Sequence, residues 1–142
     1  SVMGIDEDSK LIAFGQVLNF FKMEESWNVA VLGKDFAKSF REMVKRQVTI
    51  VEFKDGILVS HKGNVGNNSL DMFLCGDTFD MVPVEMLKQI LWALKPGSVA
   101  VFVEKAAKKE EIEAKYKDKL SLFPKYLILN LSQYHNGVVL KK

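Results

Sequence analysis

One cysteine, two histidines and three prolines in 142 residues leave little material for several kinds of chemistry. A single thiol, Cys75, excludes an internal disulfide and suits a reducing compartment. His61 and His135 stand far apart, and no His, Cys or Asp grouping has metal-ligand spacing, so no metal is expected. No Cys-His or Ser-His-Asp pattern marks a nucleophile, and no catalytic residue is assigned. Long apolar runs are missing too. The richest segment, Leu11 to Phe21, is interrupted by Gln16 and Asn19 and is too short to span a bilayer. No secretory pattern opens the sequence. A net charge of +2 is too small to point to nucleic acid. The expectation is a soluble cytoplasmic protein with no membrane or nucleic-acid partner. Gly63 to Asn68 is a loop by composition, but it lacks the Gly-Lys-Ser/Thr ending of a phosphate-binding loop.

What remains is ordinary for a globular chain: 48% hydrophobic and 27% charged residues, with no repeat and no linker. One domain over residues 1–142 is expected, long enough to bury a real core. The most informative stretch runs from Ser69 to Lys105. Leu70 to Leu74 reads as a buried strand. Pro83 opens a helix, where its fixed φ is tolerated, and Leu87, Ile90, Leu91 and Leu94 form one face. Lys95-Pro96-Gly97 ends it, and Val99 to Val103 is a second apolar strand. Strand, helix and strand, both strands apolar throughout, predict a parallel βαβ unit.

The remaining elements follow from local signals. Asp6, Glu7 and Asp8 before Ser9 predict an N-capped helix at about residues 9–22, with Leu11, Phe14, Val17, Leu18 and Phe21 on its face. Ile12 and Phe20 lie off that face, so the helix either packs across a sheet edge, the favoured reading, or faces a partner. Trp27 to Leu32 and Val48 to Phe53 read as strands around a short helix whose inner face is Phe36, Phe40, Met43 and Val44. Asp55-Gly56 is a turn signal, and Ile57 to Ser60 suits a short strand, either a hairpin return or an addition to the sheet. Lys108 to Leu120 predicts one solvated helix with a stripe of Ile112, Tyr116 and Leu120. Tyr126 to Leu131 and Val138 to Leu140 are strands, with Asn136-Gly137 as the hairpin turn between them and His135 exposed beside it.

The sequence Leu94-Lys95-Pro96-Gly97, ending a helix between two apolar strands, resembles the class I S-adenosylmethionine-dependent methyltransferases. Ser98 stands where that family has a second glycine. The closing hairpin, at the matching end of the chain, fits the same family. The resemblance implies an α/β fold: a doubly wound, mostly parallel, Rossmann-like sheet with a C-terminal antiparallel hairpin. It also implies a cofactor turn after the first strand, here Leu32-Gly33-Lys34-Asp35-Phe36. The family carries a glycine-rich run there; this chain has only Gly33. Lys34 and Phe36 would put side chains where the cofactor needs space. Glu52, ending the second strand, matches the acid that holds the ribose hydroxyls. Asp71 and Asp77 match positions flanking the fourth strand. Gly33, Glu52 and Asp77 are thus the cofactor-binding candidates, although Asp77 with Asp80 could cap the following helix instead.

A fold pattern with a degraded cofactor turn implies a methyltransferase-like module that no longer catalyses and serves a protein partner. In layout it is similar to the amino-terminal domain of anamorsin-like iron–sulfur assembly proteins, which suggests a role in that process. On this reading no cofactor is expected. The alternatives are an active methyltransferase using S-adenosylmethionine, and another Rossmann-like nucleotide-binding domain.

Overall fold

A computed structural model describes residues 7–142. Helix α1 (Glu7–Leu18) leads to β1 (Val29–Leu32), α2 (Lys34–Val44), β2 (Thr49–Lys54), β3 (Ile57–Ser60) and β4 (Gly63–Asn64). Then come β5 (Leu70–Thr78), a 3-10 turn (Phe79–Met81), α3 (Val84–Ala93) and β6 (Leu94–Lys105). Two short helices, α4 (Lys109–Lys115) and α5 (Lys117–Leu120), precede β7 (Lys125–Asn130) and β8 (His135–Lys141). The strands form one sheet in the order β4-β3-β2-β1-β5-β6-β8-β7.

The sheet is mixed. β2, β1, β5 and β6 are mutually parallel at its centre. β3 and β4 extend one side antiparallel, and β8 and β7 extend the other. Burial explains the division. Every residue of β1 is buried, as are Val99 to Glu104 of β6, because helices cover both faces. Alternation sorts the side chains. Val29, Val31, Met72, Leu74, Val101 and Val103 meet Phe14, Phe36 and Phe40 on the α1/α2 face. Ala30, Phe73, Cys75, Ala100 and Phe102 meet Leu87, Ile90 and Ile112 on the α3/α4 face.

Several expectations are corrected. The first helix spans Glu7–Leu18 rather than 9–22, so Ser9 lies inside it and is not its N-cap; Asp6 lies outside the described residues. Its buried side chains are Lys10, Ala13, Phe14 and Val17, while Ile12 and Phe20 face solvent. In α2 the buried set is Phe36, Ala37 and Phe40, with Met43 turned outward. Leu94 begins β6 instead of ending α3. Gly63-Asn64 is a two-residue strand within the expected loop. The helix expected over 108–120 breaks at Tyr116 (φ −113°, ψ 26°), whose ring turns into the core.

The largest departure from expectation is at Asn136-Gly137. Both residues lie inside β8 and are buried, paired with Glu104 and Val103 of β6. Asn136 Oδ1 accepts the Ala107 N–H at 3.0 Å, and Gly137 passes beneath Val17 of α1. The hairpin turn lies just before them, where Ser132 Oγ accepts the N–H groups of Tyr134 and His135. His135 is consequently half-buried.

Candidate functional site

The chain leaves β1 toward β2 on one side, and leaves β5 toward β6 on the other. The strand order therefore reverses between β1 and β5, and a crevice at their carboxyl ends is where a doubly wound sheet presents a ligand site. Leu32-Gly33 ends β1 there, and Gly76-Asp77 lies near the end of β5. A cavity of about 330 Å³ opens on the β2 side of this point. It is lined by Gly33, Glu52 and Asp77 together with Val51, Phe53 and Met86. The three candidates chosen from the sequence thus meet at one cavity. Glu52 is exposed, and its carboxylate stands 3.2 Å from Lys54 Nζ. Asp77 is exposed as well, and neither it nor Asp80 caps α3, whose N-cap is Pro83 without a side-chain bond. Asp80 instead accepts the Thr78 hydroxyl at 2.6 Å.

On the α1/α2 side the same crevice is filled. Phe36 is 2% exposed and packs between Phe14 and Phe40, with ring centroids 5.1 and 6.1 Å away. It lies hard against the end of β5. A Cβ at Gly76 would stand 3.0 Å from Phe36 Cβ and 2.6 Å from the Leu32 carbonyl oxygen, so only glycine fits. Lys34, expected to share this role, is exposed and does not line the cavity. Its place is taken by a residue the sequence reading missed. Lys10, 9% exposed, reaches from α1 over the Phe36 ring and donates to the Gly76 carbonyl at 2.5 Å. A signal existed: Lys10, Phe14 and Val17 follow the i, i+4, i+7 spacing of a buried helical stripe.

A second lysine holds the same connection from the other face. Lys119 Nζ donates to the Phe79 carbonyl at 2.8 Å and lies 5.1 and 5.2 Å from the Phe79 and Tyr116 ring centroids. Burial lowers its pKa, opposed by the Asp80 and Glu104 carboxylates. Tyr116 donates its hydroxyl to Glu104, which is itself buried at the end of β6, and Glu104 Oε1 accepts the Lys105 N–H at 2.7 Å. Burial first, and then the bond to Glu104, push the Tyr116 phenol well above its ordinary range. The segment from Gly76 to Phe79 is therefore pinned at both ends by ammonium groups stacked on aromatic rings.

Other residues singled out from the sequence are structural. Asp71 lies at the amino end of β5, away from the crevice, where it accepts the Asn28 N–H at 2.7 Å and pairs with Lys95 at 2.9 Å. Cys75 is fully buried; burial, and next the Asp77 charge, push its thiol up and keep it protonated. A larger cavity of about 560 Å³ opens at the amino ends of β1 and β2 beside Lys45, Arg46, His61 and Lys62. Its Arg46 is occupied with the backbone carbonyls of Glu24, Trp27 and Gln47. Among the described residues, no group of His, Cys, Asp and Glu could hold a metal ion. Among them, too, no helix is long and apolar enough to cross a membrane.

No protein-family model and no curated protein sequence matches the chain. Solved structures do. A S-adenosylmethionine-dependent methyltransferase from Aquifex aeolicus superposes with a TM-score of 0.61 at 14% identity, covering 96% of this chain and 98% of that one. One from Archaeoglobus fulgidus gives 0.59 at 9% identity, covering 96% and 95%. Phosphoethanolamine N-methyltransferase 2 of Haemonchus contortus, in complex with S-adenosyl-L-methionine, gives 0.61 at 12% identity, covering 92% of this chain and 52% of that one. The fold is that of the class I methyltransferases.

Proposed function

We propose that this methyltransferase-like chain does not transfer methyl groups and works through contact with a protein partner. One observation carries the reading: Lys10 and Phe36 occupy the α1/α2 side of the crevice where β1 and β5 end. A ligand entering there has to displace a buried ammonium from the Gly76 carbonyl and an aromatic ring from the core. The space left, about 330 Å³, is at the small end of the range for ligand sites. A role in iron–sulfur protein assembly belongs to the same proposal. Its support is the similar layout: a short first strand, no glycine-rich turn, and Leu94-Lys95-Pro96-Gly97 at the helix end.

A second reading has its own support. Gly33, Glu52 and Asp77 line one cavity, and the similar Haemonchus enzyme holds S-adenosyl-L-methionine. On that reading the chain binds the cofactor with an atypical turn. Titration calorimetry with S-adenosylmethionine and S-adenosylhomocysteine separates the two. The non-catalytic reading expects no binding tighter than about 100 μM, roughly −5.5 kcal/mol. Tighter binding, abolished by Glu52→Ala, overturns it in favour of the second.

A further inference from the structure

At the end of the sheet opposite the crevice, helix α1 stops at Leu18, and Phe21 and Trp27 continue its cover of the α1/α2 face. The cover is incomplete. A cavity of about 470 Å³, within the range for small-molecule sites, lies between these two rings and Val99, Val139 and Leu127 of β6, β8 and β7. Leu127 is 50% exposed, although Val139, its neighbour across the ladder, is buried. Two lysines complete the lining. Lys125 and Lys141 stand directly opposite each other in the β7–β8 ladder, so their side chains leave the same face of the sheet, and both border the cavity. Like charges placed this way destabilise a strand pair. Among the described residues neither ammonium has a carboxylate partner. The acid in the lining, Asp71, is already engaged with the Asn28 N–H at 2.7 Å and with Lys95 at 2.9 Å.

We infer that this cavity binds a small amphiphilic carboxylate, its apolar tail along Val99, Leu127 and Val139 and its carboxylate between Lys125 and Lys141. The carboxylate converts a like-charge pair into two charge-assisted hydrogen bonds. The tail removes from water the apolar surface that Phe21 and Trp27 leave open. Charge and lining together select this chemistry. A cationic ligand would add to the repulsion, and an uncharged one would leave it in place. A sugar or nucleoside would bring hydroxyl groups that a largely apolar lining could not satisfy. The site is at the amino ends of β5 and β6, so the inference does not depend on whether the crevice binds a ligand.

Titration calorimetry of the whole chain with octanoate, and with octanol as its uncharged counterpart, tests the inference. Octanoate should bind with a dissociation constant at or below about 100 μM, and octanol about tenfold more weakly. Lys125→Met and Lys141→Met keep an apolar stem and remove the charge. Each should weaken octanoate about fivefold or more and leave octanol unchanged. Leu127→Gln should weaken both probes. All three positions are exposed, and cooperative thermal unfolding confirms that each variant folds. No octanoate binding up to about 1 mM overturns the inference, including the case where the chain binds only to vesicles that contain an anionic lipid. So does octanoate binding that survives both lysine substitutions, that Leu127→Gln leaves unmoved, or that octanol equals.

Discussion

Gly137 lies so close beneath Val17 that a Cβ at position 137 would stand 2.9 Å from Val17 Cγ2. Helix α1 seats on β8 through this contact. Gly137→Ala should therefore destabilise the chain by about 1–3 kcal/mol, the usual effect of overpacking a core. Urea unfolding measures it. Adding Val17→Ala should recover part of the loss, a coupling that two independent sites would lack.

Lys10→Met keeps the aliphatic stem over Phe36 and removes the donor to the Gly76 carbonyl. A buried carbonyl that loses its partner costs about 1–3 kcal/mol. The expected result is a lowered urea midpoint with an unchanged slope. A neutral substitution would mean that another group readily replaces the ammonium.

Tyr116→Phe should cost about 1–2 kcal/mol, and Glu104→Gln should be coupled to it in a double-mutant cycle. Burial of the phenol, and with it the bond, also predicts an alkaline limit. The folded-state pKa of Tyr116 is raised. Its contribution is therefore complete below the unfolded value of about 10 and is lost as pH rises beyond it. Unfolding followed by circular dichroism should show stability falling above about pH 10 in the wild type, and falling less in Tyr116→Phe.

Asp71 predicts the opposite limb. Burial works to raise its pKa, but the Asn28 N–H and then Lys95 outweigh it, and the folded value is lowered. Its contribution is present above the unfolded value of about 3.9 and is lost as pH falls below it. Asp71→Asn should cost about 1 kcal/mol near neutral pH, a modest figure because nearly half of the Lys95 side chain is exposed. The gap between variant and wild type should close toward about pH 3 in acid titrations of stability.

These sites differ in how far the sequence announced them. The unit from Leu70 to Lys105 was legible because both strands are apolar on both faces and because Pro83 and Lys95-Pro96-Gly97 punctuate the helix between them. That Gly33, Glu52 and Asp77 lie beside one another was legible because a parallel sheet puts its crevice at strand ends. Asn136-Gly137 misled because the pair signals a turn only where the chain is free to reverse. Here β6 and α1 already flank it, and the small residue serves a close approach. Lys10, Lys119 and Glu104 were missed because charged side chains read as surface. Their burial depends on carbonyls and rings contributed by distant segments. The break at Tyr116 was hidden for the same reason, since the periodicity runs through it.

The β2–β3 hairpin, turned at Asp55 and Gly56 with φ of 50° and 80°, joins neighbours three residues apart at its tip. Where a parallel neighbour would require a crossover connection of a dozen or more residues, this side of the sheet closes over a very short loop. Contacts so near in sequence lower the entropic barrier to assembly. The strands from β2 to β4 can zip together on their own timescale, leaving the docking of β1 against β5, across some forty residues, as the slower event.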